Sequence, residues 1–396
     1  MDEIDTLPLQ ALERSDLTPI VSQVIGNPNI NSLDWQVTPV SGVYGGKSAG
    51  TVGLYRLSGV AEAGGESYPW SVIVKSFNST SFPEVGRDTI QDPAAWNYWA
   101  REKLAYQSGM LSDLGGNLVA PRFYGVTEAH NGECWVWLQD VQVTVKTWSM
   151  DRYGLAARHL GQFNGTYLVS RALPEEQPWM YPGRTAEWVK IAEPVFPDLW
   201  QYAETASGQR WLSQQTLERM QRLFPKVPSL IAFLDRLPIC LCHHDAFQRN
   251  LLAHDLPDED PKTFAVDWSM FGYGRVGQET GITTAVSLVW MEFDGSQAKE
   301  LDQLIFESYI NGLRDVGWHG DIRLARFGYT TTAALSIGLS WLTFMGANGI
   351  SSEEGERGIE SDFGYPIDDI LAQWASVLPF LLDLGDEALQ LMEEIG

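Results

Sequence analysis

The chain has 396 residues, 44% of them hydrophobic and 20% charged, a composition that is ordinary for a folded protein large enough for two lobes. Its formal net charge is −24 at pH 7, and without clustered Lys and Arg to neutralise phosphates, nucleic acid is excluded as an expected partner. The acidic start predicts that there is no signal peptide, and the lack of an apolar run of about 20 residues predicts no membrane association. Three cysteines give no disulfide framework, so we expect a cytoplasmic protein.

The first part of the chain predicts one helix and a small sheet. Apolar residues at helical spacing indicate a helix over 8–25, and from Trp35 the spacing changes to two. Strands are predicted over 35–43, 51–61 and 68–77. The glycine-rich turn between the first two strands is not a P-loop, because Ser41 stands where that motif requires Gly and a strand follows.

A lysine and a glutamate follow in an order that suits a buried ion pair. Lys75 lies near the end of the third strand, within Val-Ile-Val-Lys, where a core-facing lysine needs a partner. A helix predicted over 92–111 carries Glu102. The two residues are either partners or solvated members of their own elements.

The rest of the chain is predicted to be mainly helical after two more strands, over 120–126 and 133–141. Helices are expected over 154–168, 187–203, 211–234, 282–293, 296–316, 322–345 and 367–396. An irregular link is expected over 172–186 and a loop over 346–366. That loop contains Asp362-Phe363-Gly364, which matches the protein-kinase metal motif, but no strand precedes it and we interpret the match as coincidental.

A predicted hairpin between 241 and 272 carries three polar residues at its strand ends. Two strands, 250–252 and 264–266, bracket a turn rich in Asp, Glu and Pro. Asp245 precedes the first strand, Asn250 begins it, and Asp267 ends the second. Carboxylate and amide oxygens are ligands that Mg²⁺ prefers, and the remaining Asp245 suits proton acceptance from a hydroxyl. The arrangement therefore favours phosphoryl transfer.

The motif of this hairpin resembles that of a known enzyme family. The pattern His243-x-Asp245-x-x-x-x-Asn250, followed by Ala-Val-Asp267-Trp, resembles the catalytic core of the aminoglycoside phosphotransferase and choline kinase family. The resemblance implies an α+β, protein-kinase-like fold of two lobes. The expected lobes are a small antiparallel-sheet lobe over 1–140 and a mostly helical lobe over 141–396.

The resemblance also implies roles for individual residues. Asp245 would deprotonate the acceptor hydroxyl, while Asn250 and Asp267 would hold Mg²⁺. Lys75, set by Glu102, would contact the α- and β-phosphates of ATP or GTP. The remaining nucleotide contacts would come from the turn glycines and from the backbone of the inter-lobe hinge, that is from Gly45, Gly46, Gln139 and Val141.

Some positions depart from the family pattern. His244 stands where the family usually has Gly, and Phe247-Gln248-Arg249 stands where His-Pro-Gly is common. Glu279 is the residue closest to the family's loop-bracing Asp, and His243 is expected to brace the same loop. Three aromatic residues either line an acceptor pocket or belong to the core: Trp290, Phe293 and Trp341.

The expected function is ATP-dependent phosphorylation of a small-molecule hydroxyl. An aminoglycoside, another antibiotic, a sugar or an amino alcohol all remain open as acceptor, and the net charge suits a cationic one without selecting it. The alternative is a catalytically degenerate kinase-fold protein that binds nucleotide or regulates a partner. A protein kinase is disfavoured because no Ala-Pro-Glu follows Asp267. The sequence leaves the oligomeric state open.

Overall fold

An antiparallel sheet forms most of the N-terminal lobe of this computed structural model, which describes residues 12–40, 50–79, 89–128 and 133–396. Helix α1 (Arg14–Ile25) precedes it. The strands of this part of the chain are β1 (Ile30–Leu33), β2 (Gln36–Pro39), β3 (Thr51–Ala63), β4 (Glu66–Phe77), β5 (Leu118–Val119), β6 (Phe123–Glu128) and β7 (Cys134–Gln139). All except β5 belong to this sheet, in the order β1-β3-β4-β7-β6 with β2 beside β3.

The long β3–β4 hairpin carries Lys75 to the site. Its two-residue turn is Gly64-Gly65, and both glycines have positive φ, 65° and 87°. Such a turn requires positive φ at both positions and matches the twist of the strands. On the inner face of the sheet Leu57, Val72 and Val74 are fully buried, and α1 covers them.

The helix predicted over 92–111 is too long. The structure has a helix there, α2, that spans Arg101–Gln107. The cause is the fully buried guanidinium of Arg101, which draws preceding carbonyls out of helical hydrogen bonding. It donates to the carbonyls of Pro93 (2.8 Å), Ala95 (2.6 Å), Trp96 (3.0 Å), Trp179 (2.7 Å) and Ser269 (2.8 Å). The last two carbonyls lie in the C-terminal lobe, so Arg101 fastens α2 to that lobe.

Replacement of Arg101 by Met is expected to lower the free energy of unfolding by about 3 kcal/mol, because several buried carbonyls lose a charged donor. Chemical denaturation of Arg101→Met measures the loss. The control Arg323→Met, at an exposed arginine bonded only to nearby Asp321, should stay within about 0.5 kcal/mol of wild type. A loss as small as the control's would show that Arg101 does not fasten the lobes.

Helices make up most of the C-terminal lobe. They are α3 (Met150–Val169), α4 (Arg184–Ala192), α5 (Asp198–Ala203), α6 (Ala206–Gln209), α7 (Gln214–Leu223), α8 (Val227–Leu234), α9 (Gln278–Val289), α10 (Ala298–Asp315), α11 (Ile322–Thr332), α12 (Glu353–Phe363) and α13 (Ile367–Ile395). Helices α3 and α10 meet backbone to backbone, since a Cβ on Gly312 would lie 2.0 Å from the Arg158 carbonyl oxygen. Within the described ranges, no helix is both long and apolar enough to cross a membrane.

Four predictions for this lobe are corrected. Prolines divide the helix predicted over 187–203 into α4 and α5, and the one over 211–234 into α7 and α8. The region 346–366 is not a loop throughout, because α12 occupies 353–363 with Ser352 as its N-cap and Gly364 at φ 74° as its C-cap. The link predicted over 172–186 ends too late, since α4 begins at Arg184.

The segment after α11 widens into π-helical turns. Residues Ala333–Trp341 and Met345–Gly349 are π-helical, separated by one α-turn, Leu342–Phe344. Such turns are rare and often occur at functional sites. Here they place Ile337 and Trp341 on the wall of the cavity between the lobes.

Short strands surround the loop that carries Asp245. They are β8 (Ile239–Cys242), β9 (Leu251–His254), β10 (Lys262–Ala265) and β11 (Gly272–Arg275). Two of them, β9 and β10, correspond with shifted bounds to the strands predicted over 250–252 and 264–266. Strands β9 and β10 form the predicted hairpin, with Leu252 opposite Phe264, and β5 adds parallel to β10. Strand β8 pairs with β11. The loop between β8 and β9 carries Asp245, and Asp267 follows β10.

Candidate active site

Lys75 contacts one carboxylate of its own lobe and one of the C-terminal lobe. Its Nζ lies 2.6 Å from Oε2 of Glu102 on α2 and 3.1 Å from Oδ1 of Asp267 after β10. Lys75 and Glu102 are 7% and 1% exposed, so both are buried partners and not solvated residues. The sequence alternatives for this pair are thereby resolved in favour of an ion pair.

Burial and mutual charge shift the pKa values of these groups, and burial raises the pKa of Glu102 to about 7. Burial opposes ionisation of Lys75, but the charges of Asp267 and Glu102 outweigh it and raise the lysine pKa. Burial likewise opposes ionisation of Asp267, and the charge of Lys75 lowers that carboxyl's pKa below its ordinary value. Lys75 is therefore a fixed cation and Asp267 a fixed anion at neutral pH.

Asp245 lies in the catalytic loop with both carboxylate oxygens engaged. Oδ1 accepts a hydrogen bond from Arg184 Nη1 (2.8 Å), and Oδ2 accepts one from Asn250 Nδ2 (3.0 Å). The same Asn250 amide donates to the Asp245 carbonyl (2.9 Å). These bonds hold the carboxylate in one orientation and leave the Asn250 side-chain oxygen available as a ligand.

Arg184 is a site residue that the sequence analysis missed. It lies at the first position of α4, is 6% exposed, and also donates from Nη1 to the carbonyl of His244 (3.0 Å). No motif marks it, because it reaches the loop from 61 positions earlier in the chain. Only the packing of α4 against the loop could reveal it.

His243 braces the loop, as expected. Its Nδ1 accepts the Asp245 backbone N–H (3.2 Å), and its Nε2 bonds to the carbonyl of Val266 (2.9 Å). Because a carbonyl only accepts, the proton must lie on Nε2. Both ring nitrogens are thus committed, and His243 links the loop of Asp245 to the strand end of Asp267.

Glu279 braces the loop from the first turn of α9. Its carboxylate is fully buried and accepts the backbone N–H groups of His243 (2.6 Å) and His244 (3.0 Å). This is the contact the resemblance implied for the family's bracing Asp. Burial raises the pKa of Glu279 above its ordinary value, and the two N–H donors oppose that shift.

His244 adopts a backbone conformation that favours glycine. Its φ is 65°, in the left-handed region, which accounts for the Gly that the family usually carries there. The ring is buried and its Nε2 bonds to the carbonyl of Tyr273 (2.8 Å). Burial lowers the pKa of His244 to about 3.

Acid is expected to destabilise the fold through such buried histidines. Burial lowers the pKa of His159 to about 3 as well, against about 6.5 in an unfolded chain. Between those values the unfolded chain binds more protons, so the stability contributed by a neutral ring is full above pH about 6.5 and falls on acidification.

His159→Gln should therefore lose less stability than wild type between pH about 7.5 and 5, by about 1–2 kcal/mol. Denaturant unfolding at both values measures the difference. Exposed His319→Gln should follow wild type. If His159→Gln also follows wild type, the ring is protonated in the fold.

The predicted hinge lies at the cavity, but one of its backbone N–H groups already donates a hydrogen bond within the protein. Gln139 and Val141 line the cavity, yet the Gln139 N–H donates to the carbonyl of Arg122 (2.8 Å). This N–H is therefore already bonded within the fold, and a contact between adenine and other backbone groups of 139–141 stays a prediction. Gly45 and Gly46 lie outside the described residues.

One cavity of about 490 Å³ contains the predicted residues that the structure describes. Apolar side chains line its hinge end: Val40, Leu54, Ile73, Leu138, Leu252 and Val266. Lys75, Glu102, Asp245, Asn250 and Asp267 line its middle. Arg249 stands beyond them with its guanidinium over the ring of Trp290, 4.8 Å from its centroid. Phe293 does not line the cavity and packs edge-on against Tyr153.

The donor set is suited to a magnesium ion. Asp267 and Asn250 offer one carboxylate and one amide oxygen, hard ligands of the kind Mg²⁺ takes in small number from proteins. Among the described residues, Oδ1 of Asp267 is buried and its contact is the ionic one with Lys75. These two residues are the candidates to hold the metal.

The model of the phosphotransferase enzyme family (APH) matches residues 99–316, more than half of the chain. The chain belongs to this family. The matched region contains Glu102, Arg184 and the whole catalytic hairpin, so the family resemblance expected from the His-x-Asp motif is confirmed. The search of curated proteins gave no match.

Solved structures of two such phosphotransferases share the fold. Choline kinase from Cryptosporidium parvum aligns with a TM-score of 0.53 and 10% identity over 96% of this chain and 99% of that chain. Aminoglycoside phosphotransferase from Alicyclobacillus acidocaldarius aligns with a TM-score of 0.52 and 12% identity over 94% and 96%. At these identities the likeness shows the fold alone, and it confirms the kinase-like, two-lobed α+β architecture.

Proposed function

We propose that this phosphotransferase-family protein transfers the γ-phosphate of ATP, as its magnesium complex, to a hydroxyl of a small molecule. One observation carries the proposal. Lys75 contacts Glu102 of its own lobe at 2.6 Å and Asp267 of the other lobe at 3.1 Å, and Asp245 lines the same cavity. A fixed cation facing carboxylates across a cleft is what positioning and charge neutralisation of a triphosphate require.

The nucleotide would occupy the hinge end and middle of the cavity. Its base would lie between the apolar side chains of the two lobes, near Gln139 and Val141, with ATP or GTP as the donor. Lys75 would bind the α- and β-phosphates and Glu102 would fix the lysine's position. Gly45 and Gly46 are proposed to cover the phosphates. The proposed lobe boundary lies between residues 140 and 141, directly after β7.

Asp267 and Asn250 would hold Mg²⁺. When bound, the metal neutralises negative charge on the phosphates. Asp267 is already ionised by the field of Lys75, so no proton has to leave before it binds a cation. Asn250, fixed by its bonds to Asp245, would bring its amide oxygen to the same side.

Asp245 would orient the acceptor hydroxyl and accept its proton during transfer. The carboxylate is held by Arg184 and Asn250, and its backbone by His243, so little reorganisation is needed. Arg184 is proposed as a positioning residue that acts through Asp245. A cytoplasmic location is part of the proposal, supported by the three free, buried cysteines.

Loss of the arginine contact is expected to slow turnover. Arg184→Gln should lower kcat by about 10- to 100-fold, the value of one hydrogen bond to a charged group, with KM for ATP changed less. Arg184→Lys should recover part of the loss. The steady-state kcat and KM of both variants are the measurement, with surface variant Arg171→Gln as control. An unchanged kcat in folded Arg184→Gln would remove Arg184 from the mechanism.

The test of the proposed function is ADP release with Mg-ATP, alone and with a panel of hydroxyl compounds. The proposal expects saturable Mg-ATP binding, slow hydrolysis by water, and stimulation by at least one acceptor. Binding without any ADP release would instead identify a nucleotide-binding module. Absence of Mg-ATP binding would contradict both functions.

A further inference from the structure

The far side of the cavity, beyond Asp245, is apolar. We call this surface the acceptor wall. Its members are Phe247, Val286, Val289, Trp290, Ile337 and Trp341. They come from the catalytic loop, from α9 and the residue after it, and from the π-helical turns that follow α11. Because the nucleotide is expected at the hinge end, this wall faces the second substrate.

Each acidic side chain that lines the described cavity already has a basic partner. Glu102 and Asp267 contact Lys75, and their distances to its Nζ are 2.6 and 3.1 Å. The other two pairs are Asp140 with Arg56 at 2.7 Å and Asp245 with Arg184 at 2.8 Å. Glu102 and Asp267 share one lysine, and Asp267 is the proposed magnesium ligand, so a cationic acceptor would meet no described carboxylate of the lining that lacks a basic contact.

A further buried carboxylate, that of Glu292, has one oxygen engaged, while its Oε1 has no hydrogen bond within the described residues. Glu292 does not line the cavity, and its Oε2 accepts a hydrogen bond from the hydroxyl of Tyr153 (3.0 Å). Burial raises the pKa of Glu292, and the hydroxyl groups of Ser287 and Tyr153, followed by the charge of Arg249, partly oppose that rise. Two arginines also line this part of the cavity: Arg184 contacts Asp245, and the guanidinium of Arg249 lies over the ring of Trp290.

The aromatic residues of the wall do not form a cage for a quaternary ammonium. Phe363 stacks on the indole of Trp290 with centroids 4.0 Å apart and planes 9° apart, and the Arg249 guanidinium lies over the same ring. Trp290 is therefore already occupied by a ring and a cation. Trp341 meets Trp290 tilted, and Trp374 edge-on, so it offers apolar surface to the cavity.

We propose that the acceptor is a hydroxyl compound with an apolar body and no positive charge, held against Phe247, Ile337 and Trp341 with its hydroxyl at Asp245. This inference rests on the proposed function, since it concerns the second substrate of that reaction. The alternative is a polyamine-like acceptor that the protein's net negative charge would attract, and the proposal rejects that alternative. Acidic and basic side chains of the described residues line the cavity in equal number, so the excess negative charge of the protein lies elsewhere. The acceptor meets the ion pairs of the cavity and not the net charge of the chain.

A matched pair of compounds tests the charge. Para-methylbenzyl alcohol and para-(aminomethyl)benzyl alcohol share a ring and an acceptor hydroxyl and differ in one positive charge. With the full chain and a non-hydrolysable magnesium–ATP analogue present, calorimetry should give the neutral alcohol at least about tenfold tighter binding. With Mg-ATP, ADP release should follow the same order. Equal binding, tighter binding of the amine, or no saturable binding of the neutral alcohol would overturn the inference.

A variant pair tests the apolar body. Trp341→Ala should weaken the neutral alcohol by about tenfold, whereas Trp341→Phe should retain most of the affinity because it keeps an apolar ring. Thermal unfolding confirms that both variants are folded, and unchanged affinity in Trp341→Ala would overturn the placement.

Mg-ATP binding distinguishes failure of the acceptor inference from failure of the proposed function. If Mg-ATP binds and only the amine is accepted, the acceptor inference fails alone. If Mg-ATP does not bind, the proposed function fails with it.

Discussion

Asp245→Asn is expected to lower turnover by a factor of about 10² to 10⁴, the usual contribution of a general base. The asparagine keeps the size of the side chain but cannot accept the proton of the acceptor hydroxyl. It also leaves the buried Arg184 guanidinium without its anionic partner, now 2.8 Å from the carboxylate. Affinity for Mg-ATP should remain nearly intact, because Lys75 and Asp267 are untouched.

Steady-state ADP release and calorimetry on the same preparation separate these two effects. The matched control is Asp235→Asn, whose carboxylate is largely exposed and lies 3.7 Å from Arg275. The control should retain wild-type turnover. Turnover within about threefold of wild type in Asp245→Asn would remove Asp245 from its role.

Asp267→Ala is expected to abolish metal-dependent ATP binding, weakening the affinity by at least about 100-fold. The carboxylate is the only charged metal candidate of the pair, and Asn250 alone offers a neutral oxygen. Asp267→Asn is the sharper variant, since φ at this position is 61° and Asn tolerates the left-handed region that Ala does not. It removes the charge while keeping the backbone.

Calorimetric titration with ATP, in magnesium and in EDTA, measures the metal-dependent part. Asp258→Asn, at an exposed position in the turn of the same hairpin, is the control and should bind like wild type. If Asp267→Asn keeps wild-type affinity in magnesium, the metal is held elsewhere. If affinity falls equally in magnesium and EDTA, the carboxylate acts through Lys75 and not through the metal.

The catalytic hairpin could be predicted because its signals are local. Period-two strands on either side of an acidic turn fix which residues stand at the strand ends, so Asn250 and Asp267 had to approach each other. The bond from His243 Nε2 to the Val266 carbonyl shows how closely the two ends are joined. The position of Lys75 followed from the same reasoning, since a lysine on a buried strand requires a partner.

The elements that were not predicted depend on contacts between distant segments. Arg184 reaches Asp245 only because α4 packs beside the loop, and nothing in its neighbours announces this contact. The turns before α2 exist because Arg101 binds their carbonyls, which a helical spacing of apolar residues cannot reveal. The Gly, Ser and Glu content of 346–366 predicts a loop where α12 forms. Burial of Ile359 and Phe363 stabilises it instead, with Phe363 stacked on Trp290.

A crystal structure with Mg²⁺ and a non-hydrolysable ATP analogue tests the central claim most directly, namely that one cleft gathers Lys75, Asp245, Asn250 and Asp267 around a triphosphate. The account predicts phosphates bound to Lys75, the metal ligated by Asp267 and Asn250, and the γ-phosphate facing Asp245. A nucleotide bound outside this cavity, or a metal without Asp267 among its ligands, would contradict it.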